Sequence, residues 1–355
     1  MSVEDGRATA TLDSVARTAG VSRATASRVL TGSPRVSDDA RERVLAAAAS
    51  LSYVPNAAAR ALVTRRSDAV AFVVCEREER FFSDPFFASV LKGAHRVVAA
   101  SRRQLVFAVV ASEDDRERLV RFAAGGHVDA AIFLSVHAGE TAPAQLRERG
   151  VPVVLVGRPP EGVTDDVPRA DTDNVAGGLA AAEHVLGRGR RRLGVITGPL
   201  DMPSAEDRLE GVRRAVVAAG GAVGAPGGPA PAGEPSVAVV EGDYTTEGGR
   251  RAASALLERV PGLDAVLAQN DLMAVGALGL LRERGLVVPD DVAVVGYDDI
   301  PLASAVQPAL TTVRQPLEEL GRESATLAVA LAVGGVDEGR GGSVLRPRLV
   351  VRSSS

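Results

Sequence analysis

Two guanidinium groups five residues apart, Arg23 and Arg28, flank Ala24, Thr25 and Ser27 in a segment whose other members, Ala26, Val29 and Leu30, are apolar. An arginine fork matches the paired acceptors of guanine in the major groove, and hydroxyls of this kind bond phosphate oxygens. The segment therefore has the side chains of a DNA-reading surface. A merely solvated basic face would carry the same charge, so the wider charge distribution matters. Between residues 11 and 66 nine arginines stand against four acids, a charge of +5 inside a chain of −4, which leaves −9 for the rest. A small basic piece joined to a large acidic body points to a nucleic-acid-binding module attached to a second domain.

Catalytic chemistry has little to stand on. The four histidines, at 95, 127, 137 and 184, show no metal-ligand spacing, and no Gly-x-Ser-x-Gly elbow is present. Lys92 is the single lysine and sits outside any glycine-rich phosphate loop, which excludes a Walker-type nucleotide hydrolase. Cys75 alone can form neither an internal disulfide nor a multi-thiolate zinc site, in keeping with a reducing cytosol. The expectation is a non-enzyme with no cofactor and no metal. The apolar runs fall far short of a membrane span, and the first ten residues do not read as a secretory signal, so a cytoplasmic protein without membrane contact is expected. A solute-binding transport protein, which would begin with such a signal, is disfavoured.

The elements that must position these groups can be read outward from them. Thr11 is a good N-cap, Leu12, Val15, Ala16 and Ala19 share one helical face, and Gly20 ends the helix. Gly20-Val21-Ser22 fits a tight turn, with Val21 plugging the core and Ser22 capping a second helix from about 23 to 30. Ser37, the acids after it, and Val44, Leu45, Ala48 and Leu51 mark a third amphipathic helix. Pro55 and Asn56 can begin a short alanine-rich helix ended by Leu62 as an apolar wedge.

These residues carry a resemblance. Thr11-Leu12-Asp13-Ser14-Val15-Ala16, then Ala19-Gly20-Val21-Ser22-Arg23-Ala24-Thr25-Ala26-Ser27-Arg28-Val29-Leu30-Thr31-Gly32, is similar to the headpiece of the LacI/GalR regulator family, and residues 53–62 resemble its hinge. Ala26 stands where the family usually has valine. The resemblance implies that Arg23 and Ala24 set base specificity, Arg28 reads guanine, and Ser22, Thr25 and Ser27 contact the duplex beside them. It also implies that paired hinge helices, through Asn56, Ala59 and Leu62, enter the minor groove and kink the DNA.

Beyond residue 68, β-branched runs at 69–74, 105–110, 130–134, 153–156, 193–197, 237–241, 265–269 and 292–297 alternate with helical patterns. That spacing predicts βαβ units and two doubly wound parallel sheets, with ligands beyond the carboxyl ends of the strands. The stretch 220–235 reads as a surface loop, and 187–192 as a turn with solvated arginines. Four of eight phenylalanines fall in 81–87, beside Asp84, where Phe86 and Phe87 could stack on a sugar or base or pack in the core. Family-like marks recur at Ser135, Arg158, Asp171-Thr172-Asp173-Asn174, Arg208, Tyr244, Asn270-Asp271 and Asp298. Arg208, Asn270 and Asp298 match the arginine, amide and aspartate that hold effectors in the family. Asp271 could instead be a helix cap, Asp298 a turn residue, and Asp173 and Asn174 caps.

The expected architecture is α/β: a three-helix helix-turn-helix headpiece followed by a two-lobed, periplasmic-binding-protein-like effector domain. The boundaries expected are a disordered N-terminus over 1–10, the headpiece over 11–54, hinge and linker over 55–67, and the effector and dimerisation domain over 68–355. The function expected is a homodimeric transcriptional regulator, most simply a repressor, that binds a palindromic double-stranded operator under control of a small-molecule effector, a sugar before others. An activator or a purine-type, corepressor-dependent regulator is the alternative. The chain ends at Ser355 after a strand-like segment, without the leucine-rich helix that tetramers in the family use, so a dimer is expected.

Overall fold

The computed structural model describes residues 10–30, 35–53, 66–160, 166–229, 231–334 and 342–355. It divides into two compact units, Met1–Ser67 and Asp68–Ser355.

The first unit is built from three helices, α1 (Leu12–Ala19), α2 (Arg23–Leu30) and α3 (Asp38–Ser50). Local chemistry sets their ends. The Thr11 hydroxyl accepts from Ser14 N at 3.2 Å while Thr11 N donates to Ser14 Oγ at 2.9 Å, a reciprocal cap. Gly20 closes α1 at φ 65°, a left-handed geometry that suits glycine. Ser22 Oγ accepts from Thr25 N at 3.1 Å at the start of α2, and Ser37 does the same for Ala40 N at 3.4 Å at the start of α3. Val15, Ala16, Ala19, Ala26, Val29, Val44, Ala47 and Ala48 form the buried core. Leu45, expected to face inward, is 51% exposed, because the core stripe of α3 runs through Ala40, Val44, Ala47 and Ala48, one position away.

The second unit carries two sheets. In the first, β1 (Ala69–Val74), β2 (Gln104–Val109), β3 (Ala130–Leu134), β4 (Val153–Val156), β5 (Arg169–Thr172) and β12 (Ser343–Leu345) lie in the order β12-β5-β4-β3-β1-β2, all parallel. The second contains β6 (Arg192–Thr197), β7 (Ala222–Pro226), β8 (Ser236–Glu241), β9 (Ala265–Ala268), β10 (Ala293–Asp298), β11 (Thr311–Arg314) and β13 (Arg348–Val350). Its order is β13-β11-β10-β9-β6-β8-β7, with only the β11–β13 pair antiparallel. Both faces of the central strands are covered, so β1 reads as an unbroken apolar run. Its Val70, Phe72 and Val74 enter one core, and Ala69, Ala71 and Val73 the other.

The chain passes between the lobes three times. After β5 the Asn174–Gly187 helix packs on the Pro203–Ala218 helix of the second lobe. After β11 the Leu317–Ala332 helix returns to pack on Pro85–Ala100 in the first. Finally β12 and β13 belong to different sheets, dividing the strand-like segment expected before Ser355 at Arg346-Pro347, where proline lacks the ladder donor. The 220–235 segment, expected to be loop throughout, contains the edge strand β7. Its Gly/Ala/Pro composition hides it, and its pairing with β8 slips between Val223 and Pro226.

Candidate DNA-reading helix and effector cleft

In the first unit, Arg23, Ala24 and Arg28 lie exposed on α2, with Ser27 half-buried between them, while Ala26 and Val29 point into the core. At 100° per residue these outward positions share one arc of the helix. Ser22 is exposed and its hydroxyl lies 2.9 Å from Thr25 Oγ1, so this pair shapes the helix entry as well as facing outward. Arg23 Nε stands 3.4 Å from Asp13 Oδ1 with both side chains largely exposed, a pair worth little in water and readily exchanged for a phosphate or base. Asn56, Ala59 and Leu62 lie outside the described residues.

In the second unit a cleft of about 750 Å³, counted to its open mouth, lies beyond the carboxyl ends of the strands of both sheets. Close helix packing positions two of its walls. A Cβ on Gly178 would overlap Arg208 O, and one on Gly211 would overlap Val175 O, so the Asn174–Gly187 and Pro203–Ala218 helices cross backbone to backbone. This crossing brings Arg208 Nε to Asn174 Oδ1 at 2.9 Å. Arg208 Nη1 donates to Gln269 O at 2.5 Å, and the guanidinium lies 3.9 Å from the centre of the Tyr297 ring. Three non-glycine residues on the cleft wall, Ser135 (φ 62°), Tyr244 (φ 62°) and Asp298 (φ 105°), hold left-handed backbone. Such strain gathers where side-chain direction matters more than local stability.

Burial dominates the electrostatics. It works against the Arg208 charge, but Tyr297, Tyr244 and Asp298 nearby hold that guanidinium's pKa above its usual value. Burial pushes Asp298 up to about 7, against the pull of Arg208, while Gln315 Nε2 donates to its Oδ1 at 2.6 Å. Asp171 is pushed up to about 6, again mainly by burial. Asp84 is raised by burial too, although its Oδ1 accepts from Phe86 N at 3.0 Å. A buried arginine among carboxyls poised near neutrality can grip vicinal hydroxyls in two-pronged fashion, the guanidinium donating and the carboxylates accepting. Among the described residues no group of three or more His, Cys, Asp or Glu side chains could hold a metal ion.

Asp84, Phe86, Ser135, Arg158, Arg208, Tyr244, Asn270 and Asp298 all line this one cleft. Phe87 does not: it is 0% exposed and belongs to the core with Val90, Ala94 and Val98, a correction to its expected stacking role. Several of the others have partners already. Ser135 Oγ donates to Glu76 Oε1 at 2.7 Å, and Arg158 is held bidentately by Asp207 across the lobes at 3.1 and 3.0 Å. Asn270, not Asp271, is the helix cap. Its Oδ1 accepts from Met273 N and its Nδ2 donates to Tyr244 O, both at 2.9 Å. Asp271 is buried behind it, accepting from Ile300 N at 2.8 Å and Thr312 Oγ1 at 2.5 Å, and burial raises its pKa well above the usual range. Asp173 caps the following helix by accepting from Ala176 N at 2.9 Å, whereas Asn174 turns inward to Arg208.

Arg80 and Gln315, which carry no mark in the sequence, also line the cleft, as do Asp171, Thr172 and Asn174, which were marked as family-like but not expected as ligand residues. Gln315 follows β11 and Thr172 ends β5, strands too short to stand out. Arg80 sits in the charge run Glu76-Arg77-Glu78-Glu79-Arg80, where nothing local marks one arginine as buried.

Comparison with known proteins finds matches in both units. The family model for bacterial regulatory proteins, lacI family, matches residues 11–56, and that for a periplasmic binding protein-like domain matches 182–355. The chain is 42% identical over 344 residues to the HTH-type transcriptional regulator CelR of Thermobifida fusca, covering 97% of this chain and 98% of that protein. It is 35% identical over 326 residues to the HTH-type transcriptional regulator GalR of Escherichia coli (strain K12), covering 91% and 89%. Among solved structures, a CelR–cellobiose complex is 40% identical with a TM-score of 0.75, covering 98% of this chain and 100% of that one. The lac repressor dimer bound to operator and the anti-inducer ONPF is 26% identical with a TM-score of 0.79, covering 98% and 99%.

Proposed function

The chain belongs to the lacI family of bacterial regulatory proteins, and on that premise we propose that it is a repressor released from its operator by a β-linked glucose disaccharide. It is a DNA-binding transcriptional regulator with a helix-turn-helix headpiece and a periplasmic-binding-protein-like body. Our reading assigns base recognition to Arg23, Ala24 and Arg28, duplex contacts to Ser22, Thr25 and Ser27, and minor-groove contact to Asn56, Ala59 and Leu62. Two copies would bind the halves of a palindrome in the cytoplasm. No residue is given a catalytic role.

One observation carries the effector assignment: a buried guanidinium, Arg208, shares a cleft with Asp84 and Asp298 and with Phe86 and Tyr244. That combination suits a neutral polyol with apolar ring faces better than an anion, which buried carboxyls would repel, or an apolar molecule, which would leave them unpaired. The solved CelR–cellobiose complex, 40% identical, makes cellobiose the first ligand to test. Arg158 with Asp207, and His137 with Asp201 at 2.9 Å, join the lobes, so ligand that alters lobe closure would act through these contacts. Isothermal titration with cellobiose, maltose, galactose and ribose tests the assignment. Selective cellobiose binding supports it; binding of none, or of ribose alone, overturns it.

A further inference from the structure

The cleft continues past Arg80 into a second, outer space of about 1680 Å³, again counted to its open mouth, with Glu76, Arg77, Ser112, Arg116, His137 and Asp243 on its walls. Arg80 is the one described residue that lines both spaces. Its guanidinium lies 5.4 Å from the centre of the Phe87 ring, in the first lobe, and 4.4 Å from that of Tyr244, in the second. It therefore bridges the gap between lobes like a partition. It is held there: Arg80 Nη1 pairs with Glu76 Oε1, which also receives Ser135 Oγ at 2.7 Å and stands 3.2 Å from His137 Nε2.

A second, independent observation concerns unused donors. Among the described residues five buried side-chain N or O atoms have no hydrogen-bond partner, and three of them, Arg80 Nε, Thr172 Oγ1 and Tyr244 Oη, belong to residues on the inner cleft wall. A buried donor without a partner is costly, and a bound ligand is one way to satisfy such a group where several share a cleft wall. The Arg80 side chain is only 12% exposed, so water does little to meet its need.

We infer that Arg80 is the length-determining residue of the effector site: it closes the inner chamber against the outer cleft and donates from Nε to the terminal unit of a short saccharide. This deepens the saccharide reading and rests on it. A longer β-linked glucose oligomer would have to displace a guanidinium packed between two rings and anchored on Glu76. Removing the partition would join the two spaces and admit it.

The test measures, by isothermal titration, the affinities of cellobiose, cellotriose and cellotetraose for the full-length wild type and for Arg80→Ala and Arg80→Met. Wild type should prefer cellobiose over cellotetraose by at least tenfold. Arg80→Ala should reduce that preference to less than threefold. Arg80→Met keeps bulk but not the donor, so it should retain the preference while weakening cellobiose about 10- to 100-fold, the usual loss for a hydrogen bond to a charged group. Glu76→Gln, which loosens the anchor, gives a second route should Arg80→Ala not fold, and should shift the preference in the same direction. A preference unchanged in both Arg80→Ala and Glu76→Gln overturns the inference and leaves the saccharide reading standing. Wild type that binds none of the three sugars overturns the saccharide reading, and the inference with it.

Discussion

Replacing Arg208 by methionine removes the donor at the centre of the cleft while keeping most of its length, and the consequences can be worked from the contacts. Two buried acceptors lose a charged donor: Gln269 O outright, and Asn174 Oδ1, which retains only Tyr297 Oη at 3.5 Å. Each such loss is worth about 1–3 kcal/mol, and the stacking on Tyr297 adds about 1–2. Relief from burying a charge offsets part of this, leaving about 2–4 kcal/mol of destabilisation. For a unit of this size that is roughly 4–8 °C in the melting temperature of the effector domain, read by differential scanning calorimetry. The loss should fall harder on ligand: cellobiose affinity should drop about 100-fold in isothermal titration, since the fork that faces the sugar is gone. Without the cation, the Asp298 carboxyl should titrate above about 7. A variant melting within 1 °C of wild type and binding cellobiose within threefold would refute the reasoning.

The pH dependence of the free protein follows from Asp298, whose pKa burial raises to about 7 from an ordinary value near 4. The folded state then holds a proton that the unfolded chain releases, so stability should fall as pH rises from about 4 to 7 and level off above. Asp298→Asn should flatten that slope, as melting curves at pH 5 and pH 8 would show. Because sugar hydroxyls favour the carboxylate form, cellobiose binding to wild type should release protons at pH 7, visible as a buffer-dependent heat in isothermal titration. On the DNA side, Arg28→Ala should cost about 1–3 kcal/mol at one base pair and relax discrimination there, as competition gel shifts with single-base operator variants would report.

The headpiece was legible because its code is local. A threonine cap, a left-handed glycine and a serine cap each act within four residues, and the structure uses all three as written at Thr11, Gly20 and Ser22. Central strands were equally plain, since burial on both faces demands continuous β-branched runs such as β1 and β3. What stayed hidden depends on partners far along the chain. Edge strand β7 and the short β5 and β12 take their pairing from neighbours more than from their own residues. Arg80 is defined by Phe87 in one lobe and Tyr244 in the other, which no window of sequence brings together. Phe87 is the instructive error, because the signal was present: Phe87, Val90, Ala94 and Val98 recur at helical spacing, and that stripe is the buried face of the Pro85–Ala100 helix. Asn270 holds the cap that Asp271 could have supplied, because a cap and the first helical residue differ by a single position that composition does not mark.

The central claim is that effector and operator binding are coupled in one chain. Fluorescence anisotropy of a labelled inverted-repeat duplex, titrated with full-length protein at two salt concentrations with and without saturating cellobiose, measures that coupling directly. The account predicts salt-sensitive binding that exceeds binding to random duplex, weakened about 5- to 150-fold by the sugar. Binding no tighter than to random duplex, or affinity for the repeat that cellobiose leaves unchanged, would contradict it.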